Sequence, residues 1–162
     1  MFLLTDIALG TAVSGIKLSI DLCRGLISSV SSKDNELHYY NLSKLLEDYD
    51  IEYTLNIIET FCKELQNKEK EIKQKDKEDI KEENNNNENK KDALHLCLNG
   101  IHQSIDILTN NLQTIHKKQE EHKLKYFYYW RTCDISSEYT TIEKEIKRLN
   151  KRFNLLVKLN KK

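Results

Sequence analysis

None of the 162 residues is a proline, and only four are glycines. Proline inside a helix removes a hydrogen bond and clashes with the preceding turn, while sheet proteins need turn residues in quantity. A chain built this way can run in long unbroken helices and is poorly equipped for hairpins. The spacing of its apolar residues then decides the matter.

Four segments carry a helical period. In the first, Leu9, Val13, Ile16, Ile20, Cys23, Ile27 and Val30 recur at alternating steps of four and three, which puts them on one stripe. Leu18, Leu22 and Leu26 widen it, leaving Lys17, Asp21, Arg24 and Ser28 on a thin polar side. The pattern predicts a helix over roughly 3–31, closed by a turn at Ser31 to Asn35. A second helix, over roughly 36–82, carries Leu42, Leu45, Leu46 and Tyr49, then Ile51, Leu55, Ile58, Cys62 and Leu65, with a bend or phase change near Asp48 to Asp50. Its far end is a Lys/Glu/Asp mixture suited to a solvated helix held by i,i+4 pairs. Asn84 to Asn87 predict a break, because asparagine competes with the helix for backbone hydrogen bonds. Residues 83–91 read as a flexible, charged, Asn-rich loop.

A third helix, over roughly 92–127, has the cleanest stripe: Leu94, Leu98, Ile101, Ile105, Leu108, Leu112 and Ile115. The fourth, over roughly 137–160, carries Tyr139, Ile142, Ile146, Leu149, Phe153 and Leu156, with Ser136 or Ser137 as N-cap. Between them lies an aromatic run, Tyr126 to Trp130 followed by Arg131. Four amphipathic helices bury their stripes most simply against one another, so the expected fold is an all-α four-helix bundle, one domain over residues 1–162. Ile105, Leu112, Trp130, Ile146 and Phe153 are the expected core anchors, with the aromatic run capping the core.

The sequence offers no phosphate loop, paired CxxC, HExxH or nucleophile elbow, and so predicts no enzyme, cofactor or metal. His95 and His102 stand two turns apart with no third ligand spaced to join them; His116 and His122 sit among Lys and Glu and read as solvated. Glu138, Glu143 and Glu145 read as a polar face. The aromatic run, flanked by Lys123, Lys125 and Arg131, could stack nucleic-acid bases. A chain of 26 basic and 26 acidic residues lacks the basic excess a nucleic-acid partner requires, so none is expected. Cys23, Cys62, Cys97 and Cys133 have no close pairing and read as reduced thiols in the cytosol. No Lys or Arg precedes Lys17, which argues against a secretory signal; Asp6, Lys17, Asp21 and Arg24 interrupt the ~18 apolar residues a membrane span needs.

The first helix carries the functional content. Its apolar arc is broad, and Gly10, Ser14 and Gly15 permit close helix approach. Such a helix suits the centre of a bundle and also a bilayer interface.

The apolar opening Ile7 to Ile16, the leucine-rich stretch His95 to Ile115, the basic-aromatic junction Lys123 to Trp130 and the closing helix Ile142 to Leu156 together resemble the HeLo-type four-helix cell-death domains. That group includes the fungal HeLo and HeLo-like toxins, the executioner domain of the mixed-lineage kinase domain-like pseudokinase, and a domain of some plant innate-immune receptors. The resemblance covers most of the chain outside Gln66 to Asp92, where the asparagine-rich insertion departs from the pattern. It implies a cytoplasmic bundle that moves to the membrane, oligomerises and permeabilises it. Ile7, Leu9, Val13, Ile16 and Ile20 would insert, and Lys17 and Arg24 would meet anionic lipid headgroups. Implied partners are anionic membrane lipids, further copies of the chain, and a separate or C-terminal sensor domain. The alternatives are a non-enzymatic adaptor bundle that never touches lipid, and a structural component, viral for instance, from an AT-rich genome suggested by the Lys, Asn and Ile content.

Overall fold

The computed structural model describes residues 3–31, 33–75, 85–128 and 131–161, with side chains placed for 9–31, 39–71, 92–128 and 131–161. The described residues are all-helical, in five helices: α1 Leu3–Val30, α2 Lys33–Asp48, α3 Ile51–Lys75, α4 Asn85–Lys123 and α5 Ser136–Lys161.

The expected second helix is two. Asp50 takes a left-handed backbone (φ 45°), a conformation that aspartate tolerates better than most residues, and α2 ends there. Its amide still closes the last turn on Glu47 O at 2.8 Å, while its carbonyl accepts from Thr54 N–H and starts α3. The change of phase visible at Asp48 to Asp50 is thus a helix break and not a bend. Within α2, Tyr39 leaves helical geometry (φ −129°, ψ 30°) and kinks the helix. The expected loop over 83–91 also differs: Asn85 onward belongs to α4, and only 76–84 of the connection lies outside the described residues. Asparagine costs a helix only about 0.5 kcal/mol per residue, which a long adjoining helix can absorb.

Contacts along α4 set the directions. Gly15 and Ser19 meet His102, and Cys23 meets Thr109, so α1 and α4 run parallel. Arg152 reaches Gly100 and Ser104, while Lys118 reaches Glu138, so α5 runs back along α4. Arg24 ties α1 to Asn56 and Glu59 of α3, and Phe61 of α3 meets Phe153 of α5 edge-on at 5.7 Å. One apolar core joins all five helices. Its middle is α4, where Leu98, Ile101, Ile105, Leu112 and Ile115 are fully buried. Leu149 of α5 and Leu55 and Ile58 of α3 are buried in the same cluster.

α5 is started by Asp134, whose carboxylate accepts from the Ser136 amide at 3.0 Å. The expected serine cap is therefore replaced by an aspartate two positions before the first residue of α5. Hydrogen bonds from Ser136 hold that carboxyl below its usual range.

Candidate functional site

Two surfaces carry the features that sequence reasoning singled out, one on α1 and one at the α4–α5 junction. On α1, Val13, Ile16 and Ile20 are buried in the core and Leu9 is half-buried, while the side chain of Ile7 lies outside the described residues. Lys17 is exposed. Arg24 is not a free cation: its guanidinium binds Glu59 at 2.8 Å, Asp21 at 3.3 Å and the Asn56 amide oxygen. The core takes less of α1 than its leucines offer, since Leu18 and Leu22 remain 64% and 56% exposed.

A polar cluster holds α1 against α4. The Ser19 hydroxyl donates to Asp106 Oδ1 at 2.6 Å and accepts from His102 Nε2 at 3.0 Å, and that nitrogen also lies 3.5 Å from Asp106 Oδ2. Serine, histidine and aspartate are together here, but the aspartate and serine share one ring nitrogen, Nε2. A relay needs the aspartate on the opposite nitrogen. The arrangement is an interhelical clasp. His95 takes no part in it; its Nδ1 accepts from Asn99 at 3.2 Å.

The α4–α5 junction departs from expectation. Leu124, Tyr126 and Phe127 are 88%, 84% and 66% exposed, so the described part of the aromatic run does not cap the core. Trp130 lies outside the described residues. Phe127 has a left-handed backbone (φ 58°), uncommon for a bulky residue, and its ring stacks edge-on against Tyr126 at 5.3 Å. His122, expected to be solvated, is buried: its Nε2–H is shared between Tyr128 O at 3.1 Å and Arg131 O at 3.0 Å. An imidazole satisfied by two carbonyls can sit in the interior despite its charged sequence neighbours. Beside it an open cleft of about 500 Å³ is lined by His122, Lys125, Arg131 and Thr132. Neither Lys125 nor Arg131 forms an ion pair among the described residues, whereas Lys123 pairs with Glu120 and Lys118 with Glu138.

Of the expected anchors, Ile105, Leu112 and Ile146 are fully buried and Phe153 partly so. Glu145 is buried, not part of an open polar face; it accepts from Ser104 and Arg148. Burial pushes the thiols of Cys23 and Cys62 up to about 11 and 12, which leaves neither as a thiolate. All four cysteines are free. Among the described residues no cluster of three or more His, Cys, Asp or Glu could hold a metal, and no helix is long and apolar enough to cross a membrane.

No protein-family model and no solved structure matches the chain. A stretch of 70 residues is similar to "Uncharacterized protein L717" of Acanthamoeba polyphaga mimivirus, with 37% identity over 43% of this chain. That stretch spans only about a third (34%) of the viral protein.

Proposed function

We propose that the chain is a membrane-targeting, membrane-permeabilising cell-death domain of the HeLo type, acting without catalysis. In this reading α1, α3, α4 and α5 are the four-helix bundle and α2 is a crossing helix on it. The protein waits in the cytoplasm, moves to anionic membranes when a sensor releases it, and oligomerises there. The observation that carries the reading is the two-sided apolar character of α1. Val13, Ile16 and Ile20 pack inward while Leu18 and Leu22 stand in solvent on another side of the same helix. A helix apolar on more than its buried face loses less on leaving a protein core for lipid.

Release is costly. Val13, Ile16, Ile20 and Ile27 are each worth about 1.5–3 kcal/mol of burial. Their sum is on the order of 10 kcal/mol, comparable with the ~5–15 kcal/mol stability of a whole domain. Lipid contact and oligomer contacts must therefore offset it together.

Leakage of dye from liposomes of cytoplasmic-leaflet composition tests the reading, comparing the full chain with one lacking residues 1–22 and with the pair Leu18→Glu and Leu22→Glu. The exposed pair leaves the core intact, so loss of leakage with an unchanged helical spectrum supports insertion by α1. Leakage that survives both changes, or none from the full chain, sinks it. The second reading, a protein-binding adaptor bundle, draws on the outward face of α3, where Tyr53, Ile57 and Phe61 line a shallow cleft of about 290 Å³.

A further inference from the structure

The α4–α5 junction pairs exposed aromatics with cations in a manner that packing does not account for. Phe127 bears a backbone conformation that bulky residues avoid, and its ring gains no burial in return. Leu124 and Tyr126 beside it are exposed as well. Yet the junction is not loosely held. Nearly complete burial of His122, with its Nε2–H shared by Tyr128 O and Arg131 O, pins the loop from beneath. Strain maintained by a buried clamp, with an apolar cluster presented outward, is what a contact surface requires. The cleft on the same loop adds an electrostatic preference, since Lys125, Arg131 and Thr132 line it and neither cation forms an ion pair among the described residues.

We propose that this tip is a docking site for an anionic membrane surface, used by the folded protein. A lipid phosphate or carboxylate lies in the cleft against Lys125 and Arg131, while Leu124, Tyr126 and Phe127 enter the boundary between headgroups and acyl chains. Aromatic rings favour that depth because they offer apolar bodies and polar edges or hydroxyls together. The inference rests on the membrane-targeting reading but uses a different surface. It requires no release of α1, so it supplies a reversible first contact that precedes insertion. A nucleic acid would also favour rings and cations. Two cations without an ion-pair partner among the described residues, on a chain of zero net charge, are too few to hold a phosphate backbone, and they suit single headgroups better.

The test is co-sedimentation of the full chain with phosphatidylcholine vesicles, with and without phosphatidylserine, and with dye leakage read on the same samples. The variants are Phe127→Gly, Tyr126→Ser, and Lys125→Gln combined with Arg131→Gln. The carbonyl of Arg131 that accepts from His122 belongs to the backbone, so the clamp survives the last of these, and melting curves verify it for each. Each cation near an anionic surface contributes about fivefold in partitioning, so the double neutralisation should weaken binding to phosphatidylserine vesicles by roughly thirtyfold and remove most of its salt dependence. Phe127→Gly and Tyr126→Ser should weaken binding to both kinds of vesicle. Wild-type binding by all three folded variants overturns the proposal. So does capture of a single-stranded oligonucleotide in place of vesicles, or binding of inorganic phosphate as tight as that of lipid. Tip-dependent binding without leakage upholds the docking site and overturns the permeabilising function; leakage indifferent to the tip does the reverse.

Discussion

A methyl group added to Gly15 of α1 would lie 2.9 Å from Cε1 of His102 on α4, closer than real side-chain contacts allow. The glycine is therefore the reason that the His102 ring can reach Ser19 and Asp106, and with them clasp the two parallel helices.

Gly15→Ala should force the imidazole aside and weaken the bond to Ser19, costing about 1 kcal/mol. Alanine is better than glycine in a helix by about the same amount, so the melting temperature should barely move. Gly25 is the control, because nothing lies within 4 Å of its added methyl. Gly25→Ala should raise the melting temperature by about 2–4 °C, following a gain of about 1 kcal/mol. Thermal melts of the two variants side by side check this; an equal rise in both removes the clasp from the account.

Acid should weaken the tie between α1 and α3. Lys63 first, then Arg24, hold the Glu59 carboxyl below its ordinary range. A folded value lower than the unfolded one gives stability that is complete above the unfolded pKa, about 4.3, and is lost as pH falls through the folded value. Glu59→Gln should therefore cost about 1 kcal/mol near neutral pH and progressively less below about pH 4. Urea denaturation of both proteins across that range measures it, and a difference that grows on acidification contradicts the sign.

Thiol reactivity should rank by burial. Cys133 is half-buried, whereas Cys23, Cys62 and Cys97 are buried with their thiols pushed up by desolvation. Ellman's reagent on the native protein should modify Cys133 first, with the other three reacting only on denaturation. Rapid native labelling of Cys23 would mean that α1 leaves the core spontaneously.

Truncations should separate the two sides of α1 from the centre of α4. Leu112→Ala removes a fully buried side chain and should cost about 2–5 kcal/mol. Leu18→Ala and Leu22→Ala remove exposed side chains and should each stay within about 0.5 kcal/mol. Large losses from the exposed pair would show that their side is covered in solution, by another copy of the chain for instance.

Much of the helical content could be read from spacing alone. The run Leu94, Leu98, Ile101, Ile105, Leu108, Leu112, Ile115 states both that α4 is a helix and which face it buries, because neighbours at three and four residues share a side whatever the partner. The break at Asp50 was visible only as a phase change, since the choice between bending and breaking depends on how α3 must turn to reach α1 and α5. His122 could not be read correctly, as nothing in Lys117 to Lys125 announces that two carbonyls beyond the helix end will receive its N–H. Tyr126 and Phe127 face solvent where a core cap is expected for a related reason: aromatics next to a helix end look alike whether they fold inward or out.

By itself, then, the sequence determined that the chain is helical and that Val13, Ile16, Ile105, Leu112 and Ile146 lie on apolar stripes, because helix periodicity is a local property of the backbone. Only the tertiary structure decided that Leu18 and Leu22 are left uncovered, that Ser19, His102 and Asp106 meet, and that Phe127 points to solvent over a buried His122. Those outcomes depend on which helix packs beside which, a relation between residues more than eighty positions apart in the clasp. No local pattern encodes it.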